Sequence, residues 1–174
     1  PYPLNSNIHG REAVFAHKMS QEIEVVEEGP VRLSVRVKGK TNLWAMTWEY
    51  RQYIYLYHNI KRIDFRTELI PAGRQYRVRA CFSTNIKDGK IRYEIPFGIQ
   101  ERPEGEYPVL NWMDYSDETK GICLINRGLP GNNVTDGVMM LSLFRAVNMG
   151  PGKYKSETAY AEGQKQIFEY SIIP

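Results

Sequence analysis

With 174 residues, 42% of them apolar and 25% charged, the chain has the composition of an ordinary globular domain, able to bury a core without disulfide staples. Basic and acidic residues nearly balance, 23 against 20, and are spread along the chain, which excludes the clustered basic surface of a nucleic-acid binder. No apolar run approaches the roughly 18 residues of a spanning helix, so neither nucleic acid nor membrane is an expected partner.

The first elements read unequally well. "AVFAHKMSQEIEVVEE" can start helical, but its β-branched end makes it a strand by Ile23. "PVRLSVRVKG" is clearer, with Val31, Leu33, Val35 and Val37 on one face and Arg32, Ser34, Arg36 and Lys38 on the other. That period of two is the mark of a half-buried strand. "RQYIYLYHN" alternates Tyr53, Tyr55 and Tyr57 against Ile54 and Leu56, so both of its faces should be partly covered. In "KRIDFRTELIP" Ile63, Phe65, Thr67 and Leu69 point inward, Arg62, Asp64, Arg66 and Glu68 outward, and Pro71 ends the run.

Further strands follow as "YRVRACFS", "KIRYEIPFG", "GICLIN", "GVMMLSLFRAV" and "QIFEYSII", with "KDGK" at Lys87 to Lys90 as a hairpin turn. Two stretches read as irregular, Gln100 to Asp117 and "NMGPGKYKSETAYAEG". Loops of that length in a compact domain are usually functional or touch a neighbour. No segment carries an apolar stripe at helical spacing. The expected class is all-β, an antiparallel β-sandwich in a single domain spanning 1–174.

The chemistry is sparse. His9, His17 and His58 are scattered without acidic or thiol partners, so no metal site is expected in this segment. Cys81 and Cys123 sit among apolar neighbours and read as buried thiols, not nucleophiles, since neither has a histidine beside it. "GPGK" at Gly150 to Lys153 lacks the phosphate-loop spacing and reads as a turn. Asp114, Asp117 and Glu118 in "WMDYSDETKG" could supply the carboxylate pair of a glycosidase, or simply shape a turn, which is what such clusters usually do. No catalytic residue and no cofactor is assigned.

Two features allow a ligand. The Tyr53, Tyr55, Tyr57 stripe suits stacking on a sugar ring, and equally suits packing between sheets or toward another domain. In "NRGLPGNN" the turn formers Gly128, Pro130 and Gly131 display Arg127 at a strand end, where an arginine is ordinarily just solvated.

The order of segments says more than any one motif. "EGPVRLSVRV", "YRQYIYLYHNIKRIDFRTEL", "RVRACFS", "YEIPFGIQERP", "YPVLNWMDYSDETKGICLINRGLPGN", "VMMLSLFRAV" and "GQKQIFEYSIIP" together resemble the C-terminal β-domain of glycoside hydrolase family 38 α-mannosidases, over Glu22 to Pro174. Residues 1–21 match less clearly and are expected to belong to a neighbouring small β-module.

The resemblance implies a sandwich of the galactose-mutarotase-like, or supersandwich, type. It implies a longer parent, whose N-terminal catalytic domain carries zinc and an aspartate nucleophile for retaining hydrolysis of α-mannosides. The lack of an initiator Met before Pro1 fits an excerpt of such a parent. The expected role is non-catalytic, with the catalytic domain of the same chain and a mannoside as partners. An independent carbohydrate-binding module is the alternative. By the match, Arg127 reaches the rim of the sugar site, with Gly128 and Leu129 shaping its loop. The "RGL" form is similar to bacterial members, for which a cytoplasmic location is expected.

Overall fold

The computed structural model describes residues 14–19, 21–43, 46–72, 76–146 and 163–174, and only the backbone within 41–48. The expected small β-module before residue 22 and the turn at Gly150 to Lys153 fall largely or wholly outside these residues.

A short 3₁₀ turn, Ala16–Lys18, leads into thirteen strands: β1 (Gln21–Glu28), β2 (Arg32–Leu43), β3 (Met46–Tyr57), β4 (Ile63–Leu69), β5 (Tyr76–Ser83), β6 (Lys90–Ile95), β7 (Gly98–Arg102), β8 (Gly105–Pro108), β9 (Trp112–Ser116), β10 (Gly121–Asn126), β11 (Gly131–Thr135), β12 (Val138–Ala146) and β13 (Gln166–Ile173). They form two antiparallel sheets. The larger has nine strands in the order β1-β2-β3-β4-β13-β10-β9-β6-β7, and the smaller has four in the order β5-β12-β11-β8. The all-β antiparallel sandwich is therefore the architecture, and "AVFAHKMSQEIEVVEE" is strand from Gln21 as its β-branched end requires.

Alternation builds the core between the sheets. From the large sheet come Ile91 and Tyr93 on β6, Met113 and Tyr115 on β9, Leu124 on β10 and Tyr170 on β13. From the small sheet come Val134 on β11 and Met139, Leu141 and Leu143 on β12. Tyr93, Met113, Leu124, Val134, Met139 and Leu141 are completely buried, each removing apolar surface worth roughly 1.5 to 3 kcal/mol. Aromatic rings join the layers, with Phe65 of β4 lying 5.2 Å from Tyr170 and 5.3 Å from Phe82 of β5, while Tyr93 meets Tyr107 of β8 at 5.6 Å.

Four strands cannot cover nine. β5 is the last strand of the small sheet, and it lies over β4 and β13 through Phe82. Beyond it, the same row of the large sheet continues outward as Phe65, Ile54, Val35 and Val25, directly paired across β4, β3, β2 and β1. Ile23 is 68% exposed, Val25 56% and Leu56 40%, with Val35, Val37 and Ile54 half-buried beside them. The core's apolar lattice thus runs out onto open surface.

Four expectations need correction. "KIRYEIPFG" is not one strand but the hairpin β6–β7, turned at Pro96 and Phe97, where Phe97 takes φ 68°. "KDGK" turns the chain, with Asp88 at φ 55°, yet joins β5 of one sheet to β6 of the other and closes no hairpin. The stretch Gln100 to Asp117 is not irregular, since it holds the end of β7 and the whole of β8 and β9. Cys81 also departs from its reading, being exposed on the outer face of β5, and Cys123 is half-buried. Both thiols are free.

The outer face of the small sheet is tied by Glu106 of β8, which binds Arg77 at 2.7 Å and Arg79 at 2.9 Å across the intervening strands. Partial burial pushes the Glu106 carboxyl up, but hydrogen bonding and charge from Arg77, with Arg79, outweigh it and hold it below the usual carboxylate value. A carboxyl lowered in the folded state stabilises above its unfolded value, about 4.3, and loses that contribution as pH falls through the folded one. Urea midpoints of wild type and Glu106→Gln should therefore differ by a constant amount above about pH 5 and converge in more acid solution. A difference independent of pH would show that the carboxylate charge is not what Arg77 and Arg79 use.

Candidate functional site

The outward face of the large sheet carries the tyrosine stripe and Asp114, with Arg127 one step beyond the end of β10. Strand register sets Arg32, Ser34, Arg36 and Lys38 of β2 beside Tyr57, Tyr55, Tyr53 and Arg51 of β3, then Asp64, Arg66 and Glu68 of β4, then Ser171, Glu169 and Ile167 of β13. On β10 the same face carries Cys123 and Ile125, and Arg127 follows one step beyond the strand.

The tyrosine stripe therefore points away from the second sheet, which removes packing between sheets from its two readings. Tyr53 and Tyr55 lie nearly parallel, 6.3 Å apart, and the Arg32 guanidinium sits 5.0 Å from the Tyr55 ring and 5.8 Å from the Tyr57 ring. All three tyrosines are half-buried in this lattice. Burial pushes the Tyr55 phenol above its usual value against the pull of Arg66 and Arg32. These rings already have cationic partners.

Charge on the face is neutralised pair by pair. Arg32 binds Glu27 at 2.9 Å, Arg62 binds Asp64 at 2.8 Å, and Arg36 pairs with Glu24. Glu68 is held by Arg66 at 3.0 Å and Lys165 at 3.3 Å, its side chain only 7% exposed. Such a carboxylate persists at low exposure because cations satisfy it.

Two carboxylates of "WMDYSDETKG" resolve as structural groups. Asp117 Oδ1 accepts from the Thr119 hydroxyl at 2.7 Å and from the backbone N–H groups of Thr119 and Lys120 at 2.7 Å and 3.0 Å, which closes the β9–β10 turn. Asp114 is bound by Arg92 at 3.1 Å and by the Ser116 hydroxyl at 2.7 Å. With Trp112, Cys123 and Ile125, that Arg92–Asp114 pair lines a shallow dimple of about 380 Å³. Burial pushes the Cys123 thiol to about 11, with Asp114 adding to the shift, so it is no nucleophile at neutral pH. Among the described residues no group of His, Cys, Asp and Glu converges as a metal site.

Arg127 stands where β10 leaves the large sheet and the chain crosses to β11 of the small one. Gly128 takes φ +73°, a left-handed turn open to glycine. Leu129 folds back against the core, so the loop has one residue anchored inward and one turned to the surface. The Arg127 side chain is 81% exposed and pairs with Glu169 of β13. Sequence reading missed Glu169, whose alternation in "QIFEYSII" marks it as outward-facing without saying which strand lies next to it. An exposed pair of this kind adds little stability. Arg127→Ala should shift the unfolding free energy by less than about 0.5 kcal/mol in urea denaturation, and a loss above about 1 kcal/mol would make it a structural residue instead.

Fold and site together define a double-sheet β-sandwich that displays an arginine on an inter-sheet loop and shows no nucleophile or metal cluster among its described residues. Comparison with known proteins makes this specific. The family model described as "Glycosyl hydrolases family 38 C-terminal domain" matches residues 5–149, and the chain belongs to that family. Alpha-mannosidase G of Dictyostelium discoideum is 30% identical over 162 residues, covering 87% of this chain but 14% of that protein. Alpha-mannosidase 2C1 of Homo sapiens is 26% identical over 122 residues, 64% of this chain and 11% of that one. Two solved structures from Enterococcus faecalis, a glycosyl hydrolase family 38 protein and an α-mannosidase, superpose with TM-scores of 0.81 and 0.80 at 18% and 17% identity. Each overlay covers 89% of this chain and 22% of the other, and shows the shared fold.

Proposed function

We propose that this chain is the non-catalytic β-sandwich of a longer α-mannosidase, packed against the rest of its parent and completing the rim of the sugar site through Arg127. The observation that carries this reading is the uncovered apolar lattice of β1 to β3. Ile23, Val25 and Leu56 extend the core's own rows into solvent, and a contiguous apolar surface of that kind marks contact with another protein body. Family membership supports the identity of that body, since the α-mannosidases to which the chain is similar are several times its length.

In the parent, a separate N-terminal catalytic domain would hold zinc and the aspartate nucleophile. Retaining hydrolysis needs a nucleophilic carboxylate and an acid/base carboxylate about 5 Å apart, and the carboxylates described on this face are committed to arginines or turns. This chain would then supply only binding and orientation. Arg127 suits that task, because a guanidinium donates charge-assisted hydrogen bonds to hydroxyl or carboxylate oxygen, worth about 1.5 to 3 kcal/mol once water is excluded. A cytoplasmic setting agrees with two unpaired thiols, one of them exposed.

The independent carbohydrate-binding module is less well supported. Its platform would be Tyr53, Tyr55 and Tyr57, whose rings are half-buried and partly occupied by Arg32. The test is Arg127→Ala in the full-length parent, assayed on an aryl α-mannoside. The expected result is a fall in kcat/KM of about tenfold to a hundredfold, as loss of such a hydrogen bond requires. An unchanged kcat/KM would remove Arg127 from the sugar site.

A further inference from the structure

The backbone on either side of Arg127 is tied down, while its side chain is exposed and pairs with Glu169 at the surface. Asn126 ends β10 and Asn132 is the second residue of β11, and both face the space between the sheets, 5% and 1% exposed. One stands on the large sheet and the other on the small sheet, so residues 127–130 are the crossing between them. Both amides grip Leu129. Asn126 Oδ1 accepts from the Leu129 N–H at 2.9 Å, and Asn132 Nδ2 donates to the carbonyls of Leu129 at 3.3 Å and Pro130 at 3.2 Å. Backbone bonds complete the hold, from Asn126 N–H to the Asn111 carbonyl at 2.7 Å and from Val109 N–H to the Pro130 carbonyl at 3.0 Å.

The β9–β10 turn is held differently. Asp117 shapes the β9–β10 turn from the surface, with its carboxylate bonded only within that turn. At the Arg127 crossing the polar groups are instead taken into the core, where Asn126 Oδ1 and Asn132 Nδ2 are matched by the loop backbone while Asn126 Nδ2 and Asn132 Oδ1 are buried without a partner, a cost that a surface turn does not carry. Two such amides converge on one residue, so the crossing is fixed to both sheets. A long side chain with three methylenes gains most from this, because a fixed Cα leaves only its own rotamers to be ordered on contact.

We infer that Asn126 and Asn132 are positioning residues, which hold the Arg127–Leu129 loop so that the guanidinium meets the sugar without the backbone having to be ordered first. The inference rests on the reading that Arg127 reaches the sugar.

A double-mutant cycle in the full-length parent, with p-nitrophenyl α-mannoside as substrate, tests it. Asn126→Ala and Asn132→Ala should each lower kcat/KM by about threefold to tenfold when Arg127 is present, and by less than about twofold in the Arg127→Ala background. Assays are run well below the melting transition of each variant, so that lost fold is not read as lost activity. If an alanine variant does not fold, Asn126→Leu and Asn132→Leu, which keep the side-chain volume and remove the amide, carry the same cycle. Equal losses in both backgrounds would show that the asparagines serve the fold and not Arg127. No loss with Arg127 present would overturn the inference, leaving Arg127 at the site. A silent Arg127→Ala would instead defeat the underlying reading, and the inference with it.

Discussion

The mismatch between nine strands and four sets most of what this chain is. Apolar contact between the sheets is the main stabilising term, and it exists only where β5, β12, β11 and β8 lie over β4, β13, β10, β9 and β6. There, rings and aliphatic chains interdigitate to near-complete burial. Over β1 to β3 the same alternation continues with nothing among the described residues to face it. A strand pattern that keeps valine, isoleucine and leucine on one face and arginine and tyrosine on the other needs cover on the apolar side.

The chain meets the requirement of a two-layer core by passing back and forth between sheets. β5, β8 and the pair β11–β12 are single excursions from the large sheet to the small one. The Arg127 loop is one of these passages, and its position at the sandwich rim follows from that. A passage between layers must satisfy its backbone polar groups while leaving a dry core behind it. Asn126 and Asn132 do so from the two sides, with Leu129 as the shared anchor. The outer face of the large sheet behaves in the opposite way. Its arginines, tyrosines and carboxylates satisfy each other, so that it is complete in water, while the inner face of β1 to β3 is not. The two faces of one sheet therefore differ, one with its polar groups paired and the other exposing apolar rows.

Much of the fold was legible in the sequence because period-two alternation survives wherever one face is buried. Ile63 to Leu69 reads correctly for that reason, and Leu33 to Lys38 keeps the same alternation on β2, although Val31 lies before the strand and is exposed. The reading failed where local chemistry is atypical. Phe97 turns the β6–β7 hairpin at positive φ without being glycine or asparagine, so the turn lacks the Asn-Gly or Asp-Gly type of hairpin signal. β8 and β9 are short and lie among prolines and acidic residues, with Pro103 and Glu104 before β8, Pro108 ending it and Asp117 after β9, which imitates a loop. "KDGK" looked like a hairpin because a turn says how the chain bends, not which sheet receives it. At the site, Gly128 and Pro130 announced the turn and the family resemblance singled out Arg127. Asn126 and Asn132 did not stand out, since asparagine beside glycine and proline reads as a surface turn former, and burial is visible only after the sheets are stacked. Glu169 required the β10–β13 pairing, which is a long-range fact.

The central claim is that the apolar face of β1 to β3 is an interface within a larger α-mannosidase. Hydroxyl-radical footprinting of side chains reads it directly, by comparing the 174-residue chain with the full-length parent. The account predicts that Ile23, Val25 and Leu56 are oxidised readily in the isolated chain and protected in the parent, while Tyr53 and Tyr57 on the opposite face change less. Equal oxidation of Ile23, Val25 and Leu56 in both would contradict it.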